Sequence, residues 1–194
     1  MVDMRWQRPP FDIVRAAHAE LLVSDLEASR HFYVDLLGFV VTEETPGALY
    51  LRGYEEQVHH SLVLRQLPAS RPDWPGRAWD AERALPASGT DRPAPPLGPD
   101  RPLPAVAHLA YRVADEDDLD RLAAFFQERG CRFTWLEPGD ERGQGRALRV
   151  QDPLGFPVEF FCGMERAERL LQRFDRYRGA HILRLDHFNL HVPD

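Results

Sequence analysis

Ala16-Ala17-His18-Ala19-Glu20-Leu21-Leu22-Val23-Ser24-Asp25-Leu26-Glu27-Ala28-Ser29-Arg30-His31-Phe32-Tyr33-Val34-Asp35-Leu36-Leu37-Gly38 decides the fold. Ala16 to Val23 is an apolar, strand-like run. Ser24 followed by Glu27 reads as a capping box, in which each side chain serves the other's backbone N–H. The helix that follows is expected to reach about Leu37, with Leu26, Tyr33, Leu36 and Leu37 facing inward. Gly38 supplies the left-handed residue that stops it. Phe39 to Glu43, Ala48 to Gly53 and Val58 to Arg65 then read as three more strands.

The same plan recurs downstream. Val106 to Val113 is strand-like. Asp115 to Arg129 is an amphipathic helix with Leu119, Leu122, Phe125 and Phe126 inward, and Gly130 ends it. Cys131 to Leu136, Arg146 to Gln151 and Pro157 to Phe161 supply three strands. An internal repeat constrains a fold more than any single element does. The expectation is an α+β protein of two βαβββ modules, 16–66 and 105–162, after an N-terminal arm at 1–15. Between them, 67–104 holds ten of the 17 prolines and no apolar periodicity, so it reads as a disordered surface insertion. Residues 163–181 read as a charged linker helix, with Leu170, Leu171 and Phe174 on one side. Residues 182–194 read as the first strand of a further, truncated module.

Composition narrows the function. A net charge of -7 argues against a nucleic-acid partner, because phosphate binding needs a basic face. No apolar run approaches the roughly 18 residues that cross a membrane, so no membrane partner is expected. Two cysteines, Cys131 and Cys162, are too few for a disulfide framework, and the address expected is cytoplasmic. All 24 basic residues are arginine.

Paired βαβββ units with a histidine on the first strand resemble the vicinal-oxygen-chelate superfamily. Four blocks bring the resemblance closer: Phe11 to Arg15, Leu26 to Asp35, Asp152-Pro153-Leu154-Gly155-Phe156-Pro157, and Arg184-Leu185-Asp186-His187-Phe188-Asn189. They are similar to the type I extradiol ring-cleaving dioxygenases that act on 3,4-dihydroxyphenylacetate. That resemblance implies a four-module enzyme whose iron lies in its C-terminal half, held by two histidines and a glutamate with positions left open for catechol and O2. It implies Fe(II), with Mn(II) also accepted, and a homo-oligomer. His187 matches the first iron ligand and Asn189 an asparagine on the oxygen side of the site. The other ligands have no counterpart here, which implies a chain inactive alone.

The repeat carries a second reading. Laying the first two modules on the catalytic pair puts His18 at the first-ligand position, His108 at the second and Glu159 at the carboxylate. His59 falls where the acid–base histidine stands, and Arg149 falls on a substrate-side tyrosine. Strand parity puts His18 with Glu20, and His108 with Ala110, on common faces. His59 and His60 are expected on opposite faces, so one at most enters the site. The resemblance implies a metal-free N-terminal half, so a satisfied His–Glu pair stands beside a self-contained metal enzyme as an alternative. A third possibility is a non-catalytic assembly module that pairs through the Ile182 to Val192 strand. His31 on the helix and His181 in a turn are expected to face solvent, and His191 shares parity with His187.

Overall fold

The computed structural model of the chain describes residues 8–67, 105–152 and 155–189. Most of the proline-rich segment, His191 and part of the Asp152 to Pro157 turn lie outside them. The elements are β1 (Ile13–Val23), α1 (Leu26–Arg30), β2 (Val40–Thr45), β3 (Ala48–Arg52), β4 (Leu62–Gln66), β5 (Ala105–Val113), α2 (Glu116–Glu128), β6 (Thr134–Leu136), β7 (Ala147–Gln151) and β8 (Pro157–Phe161). The βαβββ plan is present twice.

All eight strands form one sheet in the order β2-β3-β4-β1-β5-β8-β7-β6. The order is symmetric about the join between β1 and β5, which run antiparallel. Each module closes with a parallel pair, β1 with β4 and β5 with β8. The sheet curls. Arg65 on β4 and Glu141 after β6 are separated by four strands in sheet order, yet they lie 3.4 Å apart.

Alternation along the strands sorts the residues by face. One face buries Ala19, Val23, Leu49, Leu51, Leu62, Leu64 and Leu109 against α1, and a second cluster of Val113, Leu119, Leu122, Leu148, Val150 and Phe160 under α2. Burying one such leucine contributes about 2 kcal/mol. The opposite face carries Ala110, Ala147 and Phe161 with the polar residues described below.

Helix ends show where local rules were overridden. Asp25, not Ser24, caps α1, accepting from the Ala28 N–H. After Arg30 the helix widens into a π-helical turn, His31–Leu36. The Leu37 N–H donates to the Phe32 carbonyl, five residues back. One extra residue per turn rotates the face, so Val34 reaches the core and Leu36 stays 52% exposed. Gly38 ends the turn at φ +79°. In α2, Asp115 caps through the Asp118 N–H, and Ala123 takes the inward place expected for Phe125. Phe125 instead meets Phe11 edge-on, under the Arg129 guanidinium.

Two expectations for the tail are corrected. Residues 163–181 contain no α-helix; apart from a 3-10 turn at Phe174–Arg176, the segment is extended or turned. Its backbone is claimed by module one. The Leu170 N–H donates to the Tyr54 carbonyl, Ala167 N–H to Gln57, and His59 N–H to Glu165. Leu170 is buried and Phe174 is 73% exposed. Residues 182–189 join no strand; Tyr54 and Glu55 N–H groups donate to the Ile182 and Leu183 carbonyls and hold the segment against the turn after β3. A Cβ on Gly53 would lie 2.1 Å from the Leu183 oxygen, so this close approach requires glycine.

Candidate metal centre

His18 on β1, His108 on β5 and Glu159 on β8 share the polar face of the sheet. Register does this. His18 pairs opposite Ala110, Ala110 opposite Glu159, and Glu20 opposite His108. A register shift in β1 between Ala16 and His18 marks a bulge, the kind of irregularity that re-aims a side chain. The three residues are at most 1% exposed. Their donor atoms lie within 4.8 Å of one another. His18 Nε2 and His108 Nε2 are 3.0 Å apart. Glu159 Oε1 lies 3.7 Å from His18 Nε2, and Oε2 lies 3.8 Å from His108 Nε2.

A chain of part-buried ion pairs surrounds them. Arg149 Nε donates to Glu159 Oε2 at 2.7 Å, and its Nη2 donates to Glu141 Oε1 at 2.6 Å. Arg65 binds Glu20 through two bonds of 2.7 and 2.8 Å. The Gln144 amide donates to Glu159 Oε1 at 2.7 Å. Glu141 and Gln144 come from the loop between β6 and β7, which lies over the histidines' side of the sheet. Gly143 fixes that loop against His59, where a Cβ would come within 2.4 Å of the ring.

Burial sets the protonation. It is the main reason that His18 and His108 titrate at about 3, with the neighbouring histidine and the Arg149 charge adding to the effect on His18, and Arg149 adding to it on His108. Both imidazoles are therefore neutral near pH 7, the form that donates a lone pair to a metal. His60 is lowered for the same reason. Burial pushes Glu141 up, helped by the Glu20 charge. Two neutral imidazoles and a carboxylate are a donor set that Fe(II), Mn(II) or Zn(II) can accept.

His59 sits at the edge of this region. Its Nε2 lies 3.1 Å from Glu43 Oε2 and its Nδ1 lies 3.0 Å from His60 Nδ1. His60 is the one that rests on His18, with ring centroids 4.7 Å apart. Both histidines are buried, because residues 58–61 precede β4 and parity does not govern them. His31 pairs with Asp35 on the surface, and His181 stacks on Tyr177. His187 and Asn189 are not brought to this site. The His187 side chain is 81% exposed, with Asp186 3.5 Å away. Arg65 was legible as the residue two past Val63 on the inward face of β4. Glu141 and Gln144 carry no pattern, since loop residues have no fixed facing.

Comparison with known proteins places these features. The chain is 39% identical to homoprotocatechuate 2,3-dioxygenase from Brevibacterium fuscum, solved with 3,4-dihydroxyphenylacetate, over 93% of this chain and 46% of that one, with a TM-score of 0.71. It is 41% identical to the enzyme from Arthrobacter globiformis, over 94% and 46%, with a TM-score of 0.72. Among curated relatives it is 24% identical to a manganese-dependent 2,3-dihydroxybiphenyl 1,2-dioxygenase of Geobacillus genomosp. 3, over 92% of this chain and 49% of the relative. It is 27% identical to a metapyrocatechase of Geobacillus stearothermophilus, over 97% and 50%. The chain thus spans about half the length of the curated relatives it matches. Residues 15–160, which contain nearly all of both modules together with His18, His108 and Glu159, match one family along their length. The chain belongs to the Glyoxalase/Bleomycin resistance protein/Dioxygenase superfamily.

Proposed function

We propose that the chain is the N-terminal part of an Fe(II)-dependent extradiol dioxygenase that opens 3,4-dihydroxyphenylacetate or a similar catechol with O2, and that it is inactive alone. The observation that carries this is the 39–41% identity to two homoprotocatechuate 2,3-dioxygenases across nearly all of this chain and 46% of theirs. Fe(II) in such a site would bind catechol and O2 side by side and pass electron density between them.

The chain's own residues have narrower tasks. His187 would offer one imidazole nitrogen to the iron, and Asn189 would line the oxygen side. The backbone bonds from Tyr54 and Glu55 to residues 182 and 183 fix the segment leading to His187. Among the described residues no second histidine is brought beside His187, so one ligand is available there and the rest must come from elsewhere.

The test is oxygen uptake and appearance of the ring-opened product, with Fe(II) and 3,4-dihydroxyphenylacetate. The isolated chain should give neither. Co-expression with the C-terminal half of the Brevibacterium fuscum enzyme should give both, and His187→Ala should abolish them. Turnover by the isolated chain would overturn the claim that it is inactive alone, and no turnover in the co-expressed pair would count against the assignment.

A further inference from the structure

We propose that the open cleft between the start of β1, the end of β5 and the segment after β8 binds a small oxyanion of two or more charges, a dicarboxylate or a phosphate. The proposal is independent of the dioxygenase reading. The cleft has a volume of about 860 Å³, within the range of small-molecule sites. Ala17, His60 and Phe161 line it and are 8%, 2% and 2% exposed, so its floor is the interior of the fold. Five guanidinium groups stand around it, on Arg15, Arg112, Arg166, Arg169 and Arg184. Three carboxylates face them, on Glu55, Glu56 and Asp186. Five against three leaves two positive charges in excess, on a chain whose net charge is -7.

The three carboxylates are already engaged. Glu55 and Asp186 hold Arg184 at 2.9 and 3.1 Å. Glu56 accepts from the Gly53 and Leu185 N–H groups and from the Ser61 hydroxyl. Among the described residues, none of Arg15, Arg112, Arg166 and Arg169 has a carboxylate partner. Arg15 and Arg112 donate to the Ala16 and Cys162 carbonyls instead. These two arginines are register partners across the antiparallel β1–β5 pair. Like charges directly opposite one another destabilise a sheet. A repulsive pair therefore stands at the mouth of the cleft with no carboxylate to relieve it, and a bound anion would turn the repulsion into two attractions.

The other wall is held by its backbone. Arg166 bridges Val58, and Leu170, next to Arg169, is buried and donates its N–H to the Tyr54 carbonyl. Guanidinium forks match the paired oxygens of a carboxylate or a phosphate. At the floor, His60 shares its Nδ1 with His59 Nδ1 at 3.0 Å, and its Nε2 has no hydrogen-bond partner among the described residues. In the tautomer that accepts at Nδ1, Nε2 carries the proton and offers the anion a neutral donor. Two uncompensated charges and this donor fit a multiply charged oxyanion better than a monovalent one.

The experiment titrates the full chain with succinate and with inorganic phosphate by isothermal titration calorimetry, against sodium chloride at matched ionic strength. One anion per chain is expected, and the tighter of the two probes tells a dicarboxylate site from a phosphate site. Arg15→Met and Arg112→Met should each weaken binding about tenfold, the loss of one charge-assisted bond. Arg132→Met removes an exposed guanidinium outside the cleft and should leave binding unchanged. Near-ultraviolet circular dichroism confirms that each variant is folded. Arg166→Met, at a side chain with no bond to break among the described residues, keeps the test open should a strand variant unfold. No saturable binding of either probe above the chloride control overturns the proposal. So does unchanged binding in the folded cleft variants, or an equal loss in Arg132→Met, which would reduce the effect to general surface charge.

Discussion

Arg149→Met isolates the ion-pair chain in the metal-free protein. Arg149 is 18% exposed at its side chain, Glu159 not at all, and the bond between them is 2.7 Å. Removing one partner of a buried pair leaves the other charge uncompensated, at a cost of about 3–5 kcal/mol. Two contacts reduce the loss here. Gln144 still donates to Glu159, and Arg65 still lies 3.4 Å from Glu141. The expected loss is therefore at the low end, about 3 kcal/mol at pH 7.5 in EDTA. With a urea slope of about 2 kcal/mol per molar, the unfolding midpoint falls by about 1.5 M. Glu159→Gln added to Arg149→Met should restore part of this, with a coupling of about 1–3 kcal/mol in the double-mutant cycle. A loss below about 1 kcal/mol, or additive single losses, would refute the view that Glu159 depends on this guanidinium.

Two further outcomes follow from the same residues. His18 and His108 titrate at about 3 in the fold against an ordinary 6.5, so the unfolded chain binds more protons between those values. Stability of the EDTA-treated protein is complete above about pH 6.5 and falls below it, by about 2 kcal/mol per histidine by pH 5; urea midpoints measured from pH 7.5 to 5 check this, and a flat profile would contradict the buried neutral pair. Gly53→Ala should lift the segment around Leu183, because the new Cβ meets backbone atoms at 2.1 and 2.3 Å that cannot turn aside. Trypsin cleavage after Arg184, followed by mass spectrometry, should then be faster, and an unchanged rate would mean that the segment is not held there.

The repeat was the readable part of this sequence. Val23, Leu64, Leu119 and Leu148 announce strands and helices by period alone, and doubling the pattern fixes which strand answers which. His18, His108 and Glu159 came from laying the repeat on the ligand positions that the resemblance implies, and parity agrees because all three lie inside regular strands, where two residues advance returns to the same face. The same logic fails wherever backbone bonds leave the regular ladder. His60 meets His18 because residues 58–61 precede β4 and follow no strand period. Leu36 lost its inward place to Val34 because a π-helical turn shifts phase, and no local signal distinguishes that turn from an α-helix. Leu170, Leu171 and Phe174 have helical spacing, yet Tyr54 and Gln57 accept the N–H groups that a helix would have used. Tertiary bonds there replace local ones of the same kind, so propensity could not decide.

Arg149 shows how the two sources of information complement each other. The resemblance and the repeat together place a cation beside three metal-type donors, which on charge alone argues against a metal. The register adds that Arg149 lies opposite Glu159 on β7, and that Glu141 from the adjoining loop binds it from the other side. The guanidinium is thus neutralised by a loop carboxylate that no strand pattern could announce. Its opposition to a second cation is reduced but remains, because the Glu159 oxygen it occupies is one that the cation would also use. The electrostatics of this cup are therefore set as much by the β6–β7 loop as by the three strand residues. Glu141→Gln should therefore destabilise the fold by leaving Arg149 and Arg65 short of counter-charge, read as a lower urea midpoint at pH 7.5, and an unchanged midpoint would refute this role.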